Sequence, residues 1–324
     1  MIRREFLGAG TALAATRVCA PLTANARGGS GKEWSADEFH RARRFLDTEF
    51  GRIAYVERGH GPVAFFLHGW PLNGFQWRGA MARVEGTRRS IAVDLMGLGY
   101  SDVPADADLS PGRQADMLAA VMNALGTTAV DIVANDSATA IAQLLAVRYP
   151  RRIRSLLLTN GDVHTNSPPD ALAPVLDMAR RGDLVKAFDR QLVDVRKATD
   201  PADGAPWGLA YTNPSFLTAE LLEVYLRPLV SGAKRRAQGQ GYGIAFEPNP
   251  LTAIEQRLRT CPVPVRIVWG TGDPLFPVVW ADWLDRTLPN SRGVRRVEGA
   301  NLFFPEEMPD VIAVEARDLW TSVH

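Results

Sequence analysis

Two hydrophobic periods alternate along the chain. Short apolar runs at Val63 to Leu67, Ser90 to Asp94, Val130 to Val133, Ile153 to Thr159 and Val263 to Trp269 have the character of strands buried on both faces. Phe45 to Glu57 alternates loosely and predicts two strands around a turn at Gly51, and a last strand is expected near Gly293 to Val297. Between them, apolar residues recur at helical spacing. Ser110-Pro111 reads as an N-cap followed by proline at the first position, opening a helix to about Leu125. Ile141, Leu144 and Leu145 share one face of a helix over 137 to 149, and further helices are expected around Val278 to Leu288 and from Pro309 to Ser322. Strands alternating with helices predict the α/β class, with a mostly parallel, doubly wound sheet covered on both faces.

The alternation stops after Asn160. Residues 161 to 255 carry Pro168-Pro169, several helical segments and a glycine-rich stretch from Gly239 to Gly243, with no good strand. Leu217, Leu221, Leu222 and Leu226 suggest one helix of this insert packing on the core. The pattern predicts a helical cap inserted after the sixth strand, between core segments 44–160 and 256–324. A cap over the C-terminal ends of parallel strands encloses the usual position of an active site.

Composition narrows the classes. A chain of 324 residues, 46% hydrophobic, supports one large domain with an inserted subdomain. A net charge of +1 and the lack of a Lys/Arg block argue against a nucleic-acid surface, and no apolar run reaches the length of a membrane span. Two cysteines, Cys19 and Cys261, exclude a cysteine metal site, and no metal or cofactor is expected. The N-terminus carries Arg3-Arg4-Glu5-Phe6-Leu7, a mildly apolar segment to Leu22 and then Ala24-Asn25-Ala26. That order predicts a twin-arginine export signal over 1–26, with the Tat translocase as partner during export and a periplasmic or secreted destination. Residues 27–43, with Gly28-Gly29-Ser30-Gly31, are expected to form a flexible leader.

The candidate chemistry centres on Ala134-Asn135-Asp136-Ser137-Ala138, where a buried strand turns directly into a helix. Small residues two before and two after the apex suit a strained nucleophile elbow, which exposes its apex side chain at a helix N-terminus. A carboxylate at the apex is already ionised at neutral pH and needs no base before attacking carbon. On these residues alone, Asp136 reads equally as a helix cap.

With His68-Gly69-Trp70-Pro71, Asp94 to Asp102 and Trp269-Gly270-Thr271-Gly272-Asp273 in the same order, residues 45 to 322 resemble the α/β-hydrolase superfamily. The Asp apex is similar to the haloalkane dehalogenase and epoxide hydrolase branch. The resemblance implies that Asp136 is the nucleophile and that the backbone N–H groups of Trp70 and Ser137 form the oxyanion or halide site. It implies that Asp273 is the acid that orients a catalytic histidine. In that family the histidine follows the last strand. Here the stretch Gly299-Ala300-Asn301-Leu302-Phe303-Phe304-Pro305-Glu306-Glu307 places Leu302 at that position.

A substitute base is therefore sought. His164, with Asp162 close by, follows the strand next to the elbow and is the attractive candidate; an acid after this strand takes the orienting role in related dehalogenases, which brings in Asn160 or Asp162. His68, Leu302, Phe303, Phe304, Asp162 and the cap tyrosines Tyr211, Tyr225 and Tyr242 are expected around the pocket. An apolar, aromatic-walled cavity for a small apolar molecule follows. The expected function is an exported hydrolase acting on a haloalkane, epoxide or ester. A non-catalytic binder of hydrophobic ligands and a non-hydrolytic lyase or isomerase stand as alternatives.

Overall fold

A computed structural model describes residues 31–200 and 207–323; the expected export signal lies outside the described residues. Eight strands form one sheet: β1 (Arg44–Thr48), β2 (Gly51–Arg58), β3 (Val63–Leu67), β4 (Arg89–Val93), β5 (Val130–Asp136), β6 (Ile153–Gly161), β7 (Val265–Gly270) and β8 (Ser291–Val297). Their spatial order is β1-β2-β4-β3-β5-β6-β7-β8. The pairings β1–β2 and β2–β4 are antiparallel and the rest are parallel. The apolar runs are continuous because helices cover both faces, so β3 and β5 are buried along their whole length. The observed boundaries lie within two residues of those expected from the pattern, apart from β5, which runs three residues past Val133 to Asp136; β6 continues to Gly161 and so takes the first residue expected of the insert.

Among the described residues, 162–255 are helices and turns with no strand longer than a single bridge between Val163 and Asn166. The helix Ala219–Val230 buries Leu221, Leu222, Tyr225, Leu226 and Leu229, the amphipathic face expected of it. It is tied to the core by a buried charge cluster. Glu306 accepts from Tyr211 Oη at 2.7 Å and Tyr225 Oη at 2.6 Å, and pairs with the Arg78 guanidinium. Buried charges persist only when paired and hydrogen-bonded, and Glu306 is both.

Part of the expected leader is helical. Ser35 caps a helix at Ala36–Arg41 through a reciprocal capping box with Glu38. That helix buries Phe39, whose ring lies 5.3 Å from Phe75 in an edge-on arrangement. Phe39→Ala is expected to lower unfolding free energy by about 3–5 kcal/mol, measured by chemical denaturation.

Candidate active site

The parallel strands bring the motif loops to one edge of the sheet. β5 lies between β3 and β6, so Asp136 at its end has Gly69-Trp70 on one side and Gly161-Asp162 on the other. Asp136 adopts φ 57° and ψ −130°, a left-handed conformation that strains any residue with a Cβ and marks functional turns. Close approach is permitted by two glycines. A Cβ on Gly69 would stand 2.5 Å from Asp136 Oδ2, and one on Gly161 would stand 2.2 Å from the Asp136 carbonyl oxygen.

Asp136 occupies the N-cap position of the helix Ser137–Arg148 without making a side-chain cap bond. Its Oδ2 instead accepts the Trp70 backbone N–H at 2.7 Å, and the Ser137 N–H also bonds the carboxylate. The anion site expected of these two residues is therefore filled by the carboxylate itself. Asp136 is 4% exposed. Burial pushes its carboxyl up to about 7, opposed by the two N–H groups and reinforced by the charge of Asp273. Behind the elbow, Asn135 donates to Thr159 Oγ1 at 2.8 Å and to the carbonyls of Asn160 and Leu302, both at 3.0 Å. Gln76 joins Asn135 to the Gly69 N–H. This network was not legible beforehand; its signal was an amide directly before the apex, where only small size had been weighed.

Asp273 follows β7 as expected. Its Oδ1 accepts from the N–H groups of Leu275 and Phe276, and its Oδ2 from the Asn160 side chain at 2.8 Å. Burial raises its carboxyl to about 6. Asn160 thus holds Asp273, while Asp162 faces the site. Burial and then the Asp136 charge raise Asp162 well above the ordinary carboxylate range, with the Ser167 hydroxyl pulling the other way.

Five of the expected site residues are corrected. His164 does not join the site: its Nε2 lies 3.0 Å from Glu255 Oε2 and its ring stacks on Trp283 at 4.6 Å between centroids. His68 does not line the pocket. Its Nδ1 donates to the Gly69 carbonyl at 2.8 Å and its Nε2 accepts the Leu95 N–H at 3.1 Å, so it is a buried, neutral brace for the loop, with burial lowering its pKa. Tyr211 and Tyr225 are committed to Glu306, and Phe304 is buried away from the cavity that Leu302 and Phe303 line. Tyr242 does reach the site, its hydroxyl 3.3 Å from Ser137 Oγ and its ring stacked on Trp70.

Two chambers meet at Asp136. One is walled by Trp70, Leu172, Phe188, Trp207, Leu302 and Phe303. The other is bordered by Ser137, Asp162 and Tyr242 together with apolar residues such as Pro169, Leu176 and Phe246. The helical insert supplies half of the residues that line the first chamber. Among the described residues no three of His, Cys, Asp and Glu are placed to share a metal ion, and no helix is long and apolar enough to cross a membrane.

A family model described as alpha/beta hydrolase fold matches residues 62–307. The chain belongs to this family. Across 244 residues, 73% of this chain and 79% of the other, it is 37% identical to 2-hydroxymuconate semialdehyde hydrolase of Pseudomonas putida. The haloalkane dehalogenase DatA from Agrobacterium tumefaciens C58 superposes with a TM-score of 0.71 at 22% identity, covering 87% of this chain and 97% of the other. The epoxide hydrolase CorEH gives a TM-score of 0.71 at 18% identity, covering 87% and 99%. At such identities the structural likeness is one of fold.

The raised carboxyl of Asp136 has a stability consequence with a definite sign. Between about pH 4 and 7 the folded chain keeps a proton that the unfolded chain has lost, so stability falls as pH rises through this window. Asp136→Asn is therefore expected to raise unfolding free energy at pH 8, by about 4 kcal/mol at most, and to change it little at pH 4. Denaturation at the two pH values checks this.

Proposed function

We propose that the protein is an exported hydrolase in which Asp136 forms a transient ester with a small apolar substrate. The observation that carries this reading is the carboxylate itself. Two backbone N–H groups fix it at a strained apex, lone pairs remain for attack, and an apolar chamber lies against it. Attack on a carbonyl would produce a reactive anhydride. Displacement of halide from a saturated carbon, or opening of a strained epoxide, ends in an ordinary ester, so these substrates fit the nucleophile better than carboxylic esters do.

Groups suited to the departing atom stand beside it. The Trp70 indole Nε1 is buried without a partner, and the Tyr242 hydroxyl is held protonated by burial. Either donor can meet a developing halide or alkoxide, and Tyr242 can supply the proton that an opened epoxide needs.

Incubation with 1,2-dibromoethane and with styrene oxide, followed by intact mass, tests the proposal. A covalent adduct that Asp136→Ala abolishes is expected. Absence of both adduct and product overturns it, and retained binding of an apolar ligand would then favour a binding protein. Because only the ionised carboxylate attacks, adduct formation should rise about tenfold per pH unit below 7 and level off above. Leu302→His would set an imidazole in the wall beside Asp136 and is expected to shorten the adduct's lifetime by about tenfold or more, read by the same mass measurement.

A further inference from the structure

An ester on Asp136 must be hydrolysed, and the residues that face it restrict how. His164 is held by Glu255, and both ring nitrogens of His68 are engaged in its own loop. Asp273 has both oxygens bonded and lines neither chamber. Tyr242 keeps its proton.

Asp162 differs from all of these. It follows Gly161, which pairs with Asp136 across β5 and β6, and its N–H reaches the Asp136 carbonyl at 3.4 Å. Its position is thus locked to that of the nucleophile. It is 3% exposed, its Oδ1 is buried without a hydrogen-bond partner, and it lines the smaller chamber together with Asp136. A buried carboxyl oxygen left unpaired calls for a reason, because nearly all such groups in folded proteins are satisfied. The chambers also differ in their polar groups: Asp162, Ser137 and Tyr242 border only the smaller one, among apolar residues, and there they can hold a water against Asp136.

We propose that Asp162 is the general base of the second half-reaction, drawing a proton from a water in the smaller chamber as that water attacks the carboxyl carbon of the Asp136 ester. This rests on the ester chemistry proposed above. A bond forms between the water oxygen and the ester carbon, and the water's proton passes to the Asp162 carboxylate. The resulting oxyanion takes the N–H groups of Trp70 and Ser137. Collapse breaks the bond from that carbon to the substrate oxygen, which recovers the proton from Asp162 and leaves as an alcohol. Asp136 remains as an acid and gives its proton to solvent. Burial first and the Asp136 charge second disfavour ionisation of Asp162; esterification removes the second of these, which favours the ionised base once the ester has formed.

The test compares wild type and Asp162→Asn in rapid-quench reactions with 1,2-dibromoethane and styrene oxide, read by intact mass. Adduct formation within about threefold of wild type, with release slowed about a hundredfold or more, is the expected result. Asp162→Glu should restore part of the release rate. Release at the wild-type rate in Asp162→Asn overturns the assignment. So does a variant that keeps its unfolding transition but forms no adduct, since that places Asp162 in the first step. If Asp162→Asn does not fold, Asp162→Ser is read in the same way. A wild-type protein that yields neither adduct nor product overturns the ester chemistry instead and is distinguished by that fact.

Discussion

A carboxylate taken out of water needs hydrogen bonds or an opposite charge, and Asp136 has only the first. The Trp70 and Ser137 N–H groups hold it, no described cation lies among the residues that line its chambers, and the nearby Asp273 adds repulsion. The rest of the site follows from that constraint. Its pKa rises toward neutrality because two dipoles only partly offset burial, and the backbone around it must be exact because nothing else stabilises the charge. Hence the two glycines packed against it, and hence the strained apex that aims the helix N-terminus at it.

Stiffness is supplied from behind. Gln76 and Asn135 connect the Gly69 N–H, the end of β6 and the Leu302 carbonyl in one buried network. Gly74 and Tyr100 donate backbone N–H groups to Asp94, which fixes the loop after β4 against the loop after β3. The Arg78–Glu306 pair with its two tyrosines joins the helical insert to the same frame. A network whose members are all satisfied is rigid, and losing one partner would leave a buried charge exposed to the others. The insert is thereby anchored at one end of the cavity it walls.

What could be read from the chain and what could not divide along a physical line. The strands were legible because burial on both faces writes a continuous apolar run, and β3 and β5 are buried at every position. The elbow was legible because strain and crowding dictate small neighbours within two residues of the apex. Two of the failures concern partners far away in sequence. His164 is captured by Glu255, 91 positions on, and Tyr211 by Glu306, 95 positions on. Tyr211 and Tyr242 sit in similar apolar surroundings, so local pattern could not say which would turn to Ser137. The helix before β1 starts at the Ser35–Glu38 capping box, a signal local enough to be read from the chain.

Leu302 shows how one apolar residue reshapes a site. At the position where the family resemblance implies an imidazole, its side chain closes the wall of the larger chamber, while its backbone carbonyl is still held by Asn135. The loop therefore keeps its place, and only the chemistry of the wall changes. With no imidazole there to become a cation, the resting charge on Asp136 goes unsupported and fewer carboxylates are ionised at neutral pH. The smaller chamber meets the larger one at Asp136 and adds the polar groups of Asp162, Ser137 and Tyr242 to its surroundings, so the same carboxyl group borders an apolar wall and a partly polar one.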